Sequence, residues 1–438
     1  MKISYYSLGC KVNLYECESI VNKFIENGFT LGKFDEKCDV YLINTCSITE
    51  VSDAKSRKII RQAIKQNKDA VVAVMGCYAQ LKPEDIKKIP GVSVLIGTSN
   101  RDKIYDLIID FLNNKNPIYC VDEILNVREY EELKLKCIND KTRGFVKIED
   151  GCDNYCSYCT IPYARGHVRS RDKNNIIEEI QILTNQGIKE IVLTGINTGH
   201  YGKELSNYDF SDLLADICEN VKGLGKLRIS SIEMTEITLK LLNTIKKYNN
   251  HFCNQFHIPL QGGCDNTLIR MNRKYNCSQF LDKINLIRSY FENVNITTDY
   301  MAGFSGETDL DFEASLKFIE KVGFGEMHIF PYSRRPRTKA YNFDGIVNPV
   351  VKKERVNKLL ELNKQKALEY RNNFLHKEVE VLVEKEIDGL LFGHTSNYLE
   401  VLFSGNCQIN EYARVMIKDV DYPICKGVEI LWNSLIWI

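Results

Sequence analysis

Apolar residues in the first third of the chain come in short continuous runs, at residues 2–8, 40–43, 70–75 and 92–96, as in buried strands. Between them the period changes to helical. Residues 15–27 place Ile20, Val21, Phe24 and Ile25 on one face, 53–66 read as a basic helix, and 105–112 as an amphipathic one. Strands alternating with helices predict an open parallel α/β sheet over residues 1–135. The alternation continues beyond it at regular spacing, with strands at 144–149, 190–194, 227–231, 255–259, 295–300 and 326–330. Helices are expected near 176–186, 210–221, 237–248, 278–291 and 311–322. Six strand–helix units fall short of the eight of a closed barrel, so a partial (β/α)6 barrel, open to a large substrate, is predicted over 138–372. Residues 352–371 read as a long polar helix leading out of it. From 377 the pattern alternates through Val379, Val381 and Val383, with short strands at 398–403, 413–420 and 428–431, which predicts a small β-barrel over 373–438. The apolar run 430–438 is too short to cross a bilayer and is expected to end as a strand.

Composition narrows the class. A chain of 438 residues has room for the three domains the pattern suggests. Lys plus Arg equals Asp plus Glu at 58 each, so any polyanion site must be a local patch rather than a global field. Sixteen cysteines are scattered over the chain instead of forming a small secreted framework. With no charged start leading into an apolar run, and no long apolar stretch, a cytoplasmic protein without a membrane partner is expected.

The densest chemistry lies at residues 151–171, where Cys152, Cys156 and Cys159 are separated by three and then two residues. Three thiolates that close can hold three irons of a cubane cluster and leave the fourth iron open to a ligand. Structural zinc is the alternative, with His167 as a conceivable fourth ligand. A second set is positional. Cys10, Cys46 and Cys77 each follow directly on one of the first three strands, at the sheet edge where ligands bind; ordinary buried cysteines are the competing explanation. Cys17, Cys38, Cys120 and Cys137 read as packing residues. In the barrel, polar turns follow four further strands: Thr194-Gly195-Ile196-Asn197, Ser230-Ser231-Ile232-Glu233, His257 to Gly263, and Asp299 with the 303–308 turn. Spacing alone assigns no role to His257 or Gln261. Arg334, Arg335, Arg337 and Lys339 suggest either phosphate contact or a solvated loop.

The three–two cysteine spacing resembles the radical S-adenosylmethionine (SAM) superfamily, which implies a [4Fe–4S] cluster on Cys152, Cys156 and Cys159 that binds SAM. The wider order Gly9-Cys10-Lys11-Val12-Asn13, Asn44-Thr45-Cys46, Gly76-Cys77, Ile161-Pro162, Arg165-Gly166 and Pro259-Leu260-Gln261 resembles the methylthiotransferase family over essentially the full chain. That resemblance implies a second, auxiliary [4Fe–4S] cluster on Cys10, Cys46 and Cys77, and two uses of SAM, as methyl donor and as radical source. Gly-Cys-Lys-Val-Asn and Ser230-Ser231-Ile232-Glu233 resemble the branch acting on N6-threonylcarbamoyladenosine at tRNA position 37. The implied partners are the tRNA anticodon stem-loop, a low-potential electron donor and a sulfur source, with the enzyme a monomer. Isopentenyladenosine in tRNA or a ribosomal-protein aspartate are the alternative substrates, and an Fe–S or zinc RNA-binding protein is the non-enzymatic alternative. The family's pattern is broken at Gly262, where Ser is usual, and at Arg337, where Gly is usual. Residues 393–398 resemble the tRNA-binding TRAM module, yet 376–438 carry ten Asp or Glu against five Lys or Arg. A structural cap is the other reading of that domain.

Overall fold

A computed structural model describes residues 1–136 and 142–430; Cys137 and most of the expected C-terminal strand fall outside them. The first domain runs β1 (Lys2–Ser7), α1 (Lys11–Glu26), β2 (Thr30–Leu31), β3 (Val40–Thr45), α2 (Glu50–Gln66), β4 (Val71–Gly76), α3 (Cys77–Leu81), α4 (Pro83–Lys87), β5 (Val94–Ile96), α5 (Ile104–Asn114) and β6 (Ile118–Cys120). The six strands are parallel in the order β2-β1-β3-β4-β5-β6. Every residue of β3 and β4 is buried, because helices cover both faces of the sheet. One core packs α1 and α5 on one face, and another packs α2, α3 and α4 on the other. Helix α2 starts earlier than its periodicity suggests because Thr49 caps it, its hydroxyl accepting the Ser52 N–H at 3.2 Å.

The central domain follows as β7 (Arg143–Lys147), β8 (Glu149–Asp150), α6 (Ile161–Arg165), β9 (Arg169–Ser170), α7 (Lys173–Asn185), β10 (Glu190–Thr194), α8 (Phe210–Asn220), β11 (Lys226–Ile229), α9 (Leu239–Lys247), β12 (Gln255–His257), α10 (Asp265–Arg270), α11 (Cys277–Tyr290), β13 (Asn295–Ala302), α12 (Asp309–Val322), β14 (Glu326–Pro331) and α13 (Pro349–Asn372). All six expected barrel strands are present. They form two parallel three-stranded sheets, β7-β10-β11 and β12-β13-β14, joined where Leu227 bridges Phe252. The barrel is therefore partial, and one large core links its strands to the surrounding helices.

The last domain is a closed barrel of β15 (Glu378–Ile387), β16 (Leu390–Thr395), β17 (Glu400–Ser404), β18 (Tyr412–Asp419) and β19 (Ile424–Glu429), ordered β15-β16-β17-β19-β18. Strand β16 escapes the sequence pattern because its Gly-His-Thr end reads as a turn. Residues 395–397, within the motif resembling an RNA-binding module, face the partial barrel. Arg228 Nη1 donates to Ser396 O (3.1 Å), and Asn295 Nδ2 to Asn397 O (2.8 Å). Among the described residues, no helix is long and apolar enough to cross a membrane.

Candidate active site between two cysteine triads

Strand order brings the first three cysteines together. β1, β3 and β4 are neighbours, and Cys10, Cys46 and Cys77 follow their carboxyl ends. The order reverses between β1 and β3, and such a switch point opens a crevice for ligands. Gly9, at φ 98°, makes the approach possible, since a Cβ there would stand 2.8 Å from Cys46 Sγ. Cys46 and Cys77 are buried, whereas Cys10 is exposed at the start of α1. Burial, reinforced by Cys77, pushes the Cys46 thiol up to about 11.

The second triad sits on a loop pinned at its base. β8 and β9 pair through Glu149 with Ser170 and Asp150 with Arg169, and the Cys152 N–H donates to Gly166 O at 3.0 Å. Gly151, at φ 91°, is required there, because a Cβ would fall 1.9 Å from His167 O. Cys159 Sγ accepts the Ile161 N–H, and Cys156 Sγ accepts Arg273 Nη1, each at 3.4 Å. Burial and then Cys156 push the Cys159 thiol up to about 12, and burial raises Cys152 as well. His167, the conceivable zinc ligand, is held by Asp153 Oδ1 at 2.6 Å.

Both triads reach one cavity of about 420 Å³, lined by Cys10 as well as by Cys152, Cys156 and Cys159. Its wall also carries Asn197, Glu233 and Gln261 from the polar strand ends. Both amide atoms of Asn197 and Oε1 of Gln261 are buried without a hydrogen-bond partner. Such orphaned groups suit a ligand with an amino acid head and hydroxyls, as SAM has. The donor set suits iron clusters. Neighbouring thiols help to raise Cys46 in one triad and Cys159 in the other, a repulsion that a cluster of cations would remove on binding.

Arg165, on α6, ties the two halves together. Its guanidinium is fully buried and reaches Glu16 Oε1 (2.5 Å) and Asn13 Oδ1 (2.5 Å) on α1, and Asp150 Oδ2 (3.3 Å) before the loop. Its Nε also lies 3.4 Å from Cys77 Sγ. Lys147, which contacts Glu16 at 2.9 Å and Asp150 at 2.6 Å, and Arg101 complete the network. Burial pushes the Asp150 carboxyl up, but Lys147, Arg165 and Arg101 outweigh it and hold it well below the usual range. The adjacent Glu149, with fewer cations, is raised by burial.

The family described as "Uncharacterized protein family UPF0004" matches residues 2–97, and the radical SAM superfamily matches residues 146–319. The threonylcarbamoyladenosine tRNA methylthiotransferase MtaB of Bacillus subtilis is 40% identical over 431 residues, 97% of this chain and 95% of its own. The chain belongs to the methylthiotransferase family of radical SAM enzymes. A second branch is also similar: the tRNA-2-methylthio-N(6)-dimethylallyladenosine synthase of Syntrophus aciditrophicus is 32% identical, covering 98% of this chain and 94% of that one. Among solved structures, the radical SAM methyltransferase TsrM of Kitasatospora setae, with cobalamin and a [4Fe–4S] cluster bound, aligns with a TM-score of 0.57 at 13% identity, over 77% of this chain and 76% of that one. That likeness concerns the fold alone. This methylthiotransferase works with SAM and [4Fe–4S] clusters, as its family does.

The arginine-rich segment of the methylthiotransferase is not one solvated loop. Arg335 is buried, with Nη2 2.7 Å from Asp53 Oδ2 and 2.8 Å from Ser47 Oγ, so it braces the turn after Cys46 instead of facing solvent. Arg334 donates to Tyr341 O, which leaves Arg337 and Lys339 exposed. Arg337 has φ 69°, so the Gly usual there fits the backbone. Sequence reasoning missed Arg273, which lies in a loop after α10 away from any strand end. It also gave Arg165 and Glu16 no role, because their partners lie in another domain.

Proposed function

We propose that this methylthiotransferase adds a methylthio group to C2 of N6-threonylcarbamoyladenosine at tRNA position 37, using SAM both for methyl transfer and for radical C–H activation. The observation that carries this reading is the shared cavity, where Cys10 meets Cys152, Cys156 and Cys159. Cys152, Cys156 and Cys159 would hold the cluster that binds SAM, and Cys10, Cys46 and Cys77 the auxiliary cluster. When bound, the clusters supply one-electron cleavage of SAM on one side of the substrate and sulfur on the other. The protein's part is to present both to one small volume. Asn197 and Gln261 offer free polar atoms to SAM, Arg273 and Arg165 donate to cysteine sulfurs, and Glu233 holds Arg273 in place with Oε1 3.0 Å from Nη1.

The substrate branch rests on the Gly-Cys-Lys-Val-Asn turn and on the 40% identity to the Bacillus relative. A local basic stripe supports RNA as partner. Lys55, Lys58, Arg61, Lys65 and Lys68 are exposed along and just beyond α2, which starts next to Ile48 and Thr49 at the cavity mouth. The C-terminal barrel is acidic and turns residues 395–397 inward, which supports a capping role. The reading includes domains at 1–135, 138–372 and 373–438, a monomer in the cytoplasm, a low-potential electron donor and a sulfur source. The test is mass spectrometry of tRNA nucleosides from cells lacking the gene, with and without its restoration. 2-Methylthio-N6-threonylcarbamoyladenosine should appear only on restoration. Response of the isopentenyl derivative instead would move the protein to the other tRNA branch.

A further inference from the structure

Next to the cysteine-lined cavity is a second one of about 640 Å³, which runs from Cys10 along the partial barrel's strands to Tyr398 and Glu400 of the C-terminal barrel. The two share Cys10, Gly195, Ser231 and Asp299, so a group that reacts in the first can extend into the second. The second cavity is polar, and most of its charges are already matched. Arg228 is bound by Glu190 at 2.7 Å, Glu326 by Arg371 at 3.0 Å, and Asp299 by His257 at 3.3 Å and His328 at 3.1 Å. Glu400 has His394 at 3.8 Å.

Lys11 is left over. It lines the cavity, is exposed to it, and makes no hydrogen bond or ion pair with any described residue. Beside it, His328 is two-thirds exposed and spends Nδ1 on Asp299, which leaves Nε2 without a partner among the described residues. The Asp299 hydrogen bond raises the His328 imidazole, and the nearby Lys11 charge works against that rise. An unpaired ammonium beside an imidazole whose second nitrogen faces the cavity forms a seat for an anion.

Chemistry at C2 of the adenine fixes which part of the substrate comes here. C2 must lie between the triads, and N6 is the exocyclic nitrogen on C6 of the same six-membered ring. The arm on N6 therefore begins beside Cys10 and continues along the second cavity. A dimethylallyl arm is apolar and would bury itself against unmatched charge, at a cost. A threonylcarbamoyl arm carries a carboxylate, a hydroxyl and a urea. On the substrate reading given above, we propose that Lys11 is a specificity-determining residue whose ammonium pairs with the carboxylate of the threonyl arm, with His328 alongside.

The experiment measures binding of anticodon stem-loops by fluorescence anisotropy at fixed salt, one bearing N6-threonylcarbamoyladenosine and one bearing unmodified adenosine. Wild type, Lys11→Gln, Lys11→Arg and His328→Gln are compared as full-length, cluster-loaded protein. Wild type should bind the modified loop more tightly. Lys11→Gln should weaken that loop by roughly ten-fold and leave the unmodified loop unchanged, Lys11→Arg should retain most of the preference, and His328→Gln should reduce it. Because each variant is read on two RNAs, damage to the neighbouring Cys10 site would lower both and cannot imitate a selective loss. An equal loss on both loops makes Lys11 a phosphate contact, and no loss removes it from the site; either overturns the proposal. Failure of the substrate reading shows separately, as a wild type that does not distinguish the loops and yields no methylthio product from the modified one.

Discussion

Arg165 Nε lies 3.4 Å from the sulfur of Cys77, although the two residues are 88 apart in sequence and belong to different domains. Arg165 follows Cys159 by one short helix, so the same segment that carries one triad also supports a sulfur of the other. The guanidinium also joins Glu16 on α1 to Asp150 at the base of the loop. The relative position of the triads is thereby fixed by a buried ionic network rather than by a linker.

Removing Arg165 should therefore damage fold and site together. Arg165→Ala leaves Glu16 and Asp150 short of a cation in the interior and is expected to cost about 3–5 kcal/mol, read as a fall in melting temperature. Arg165→Lys keeps the charge but cannot reach Glu16, Asn13 and Asp150 at once. It is expected to stay folded with a reduced yield of methylthio product.

Gly9 separates the triads experimentally. Gly9→Ala puts a methyl group against Cys46 and strains a φ of 98°. Iron content after anaerobic reconstitution is expected to fall from about eight to about four per chain, while cleavage of SAM to 5′-deoxyadenosine persists. Gly151→Ala would instead collide with His167 O, and SAM cleavage is expected to be lost.

Arg273 acts on the other cluster site. Replacing it with Gln removes a cation 3.4 Å from Cys156 Sγ and leaves Glu233 without its partner. Hydrogen bonds to sulfur and local charge set the potential of such clusters. The midpoint potential is expected to move to more negative values, with slower SAM cleavage at a given reductant, as redox titration would show.

Acid should undo the docking of the barrels. Burial pushes the Glu190 carboxyl up, but Arg228 and Arg143 hold it down at about 2, against an ordinary 4.5. Its stabilising effect is complete above about pH 4.5 and is lost as pH falls from there toward 2. Wild type and Glu190→Gln should differ most in melting temperature at neutral pH and converge as the pH is lowered through this window.

Much of this site could be read from the chain alone. Local signals placed the four inner strands of the first sheet and the six barrel strands, though not the short edge strands β2 and β6, and the short cysteine spacing, with three more cysteines at successive strand ends, marked both triads. Partners far apart in sequence were not legible. Arg335 looks like a surface charge until Asp53 and Ser47 are found beside it. Arg273 sits in a loop with no periodic signal, and the inward face of residues 395–397 depends on where the C-terminal barrel docks. Lys11 was visible as part of a motif, but only the cavity shows that it has no partner among the described residues.

The most direct test of the division of labour is to measure 5′-deoxyadenosine and methylthiolated RNA in the same reactions for wild type, Cys152→Ala and Cys46→Ala. Cys152→Ala is expected to form neither product, and Cys46→Ala to form 5′-deoxyadenosine without methylthiolated RNA. A Cys46→Ala enzyme that methylthiolates at the wild-type rate would contradict the assignment of a sulfur-supplying cluster to Cys10, Cys46 and Cys77.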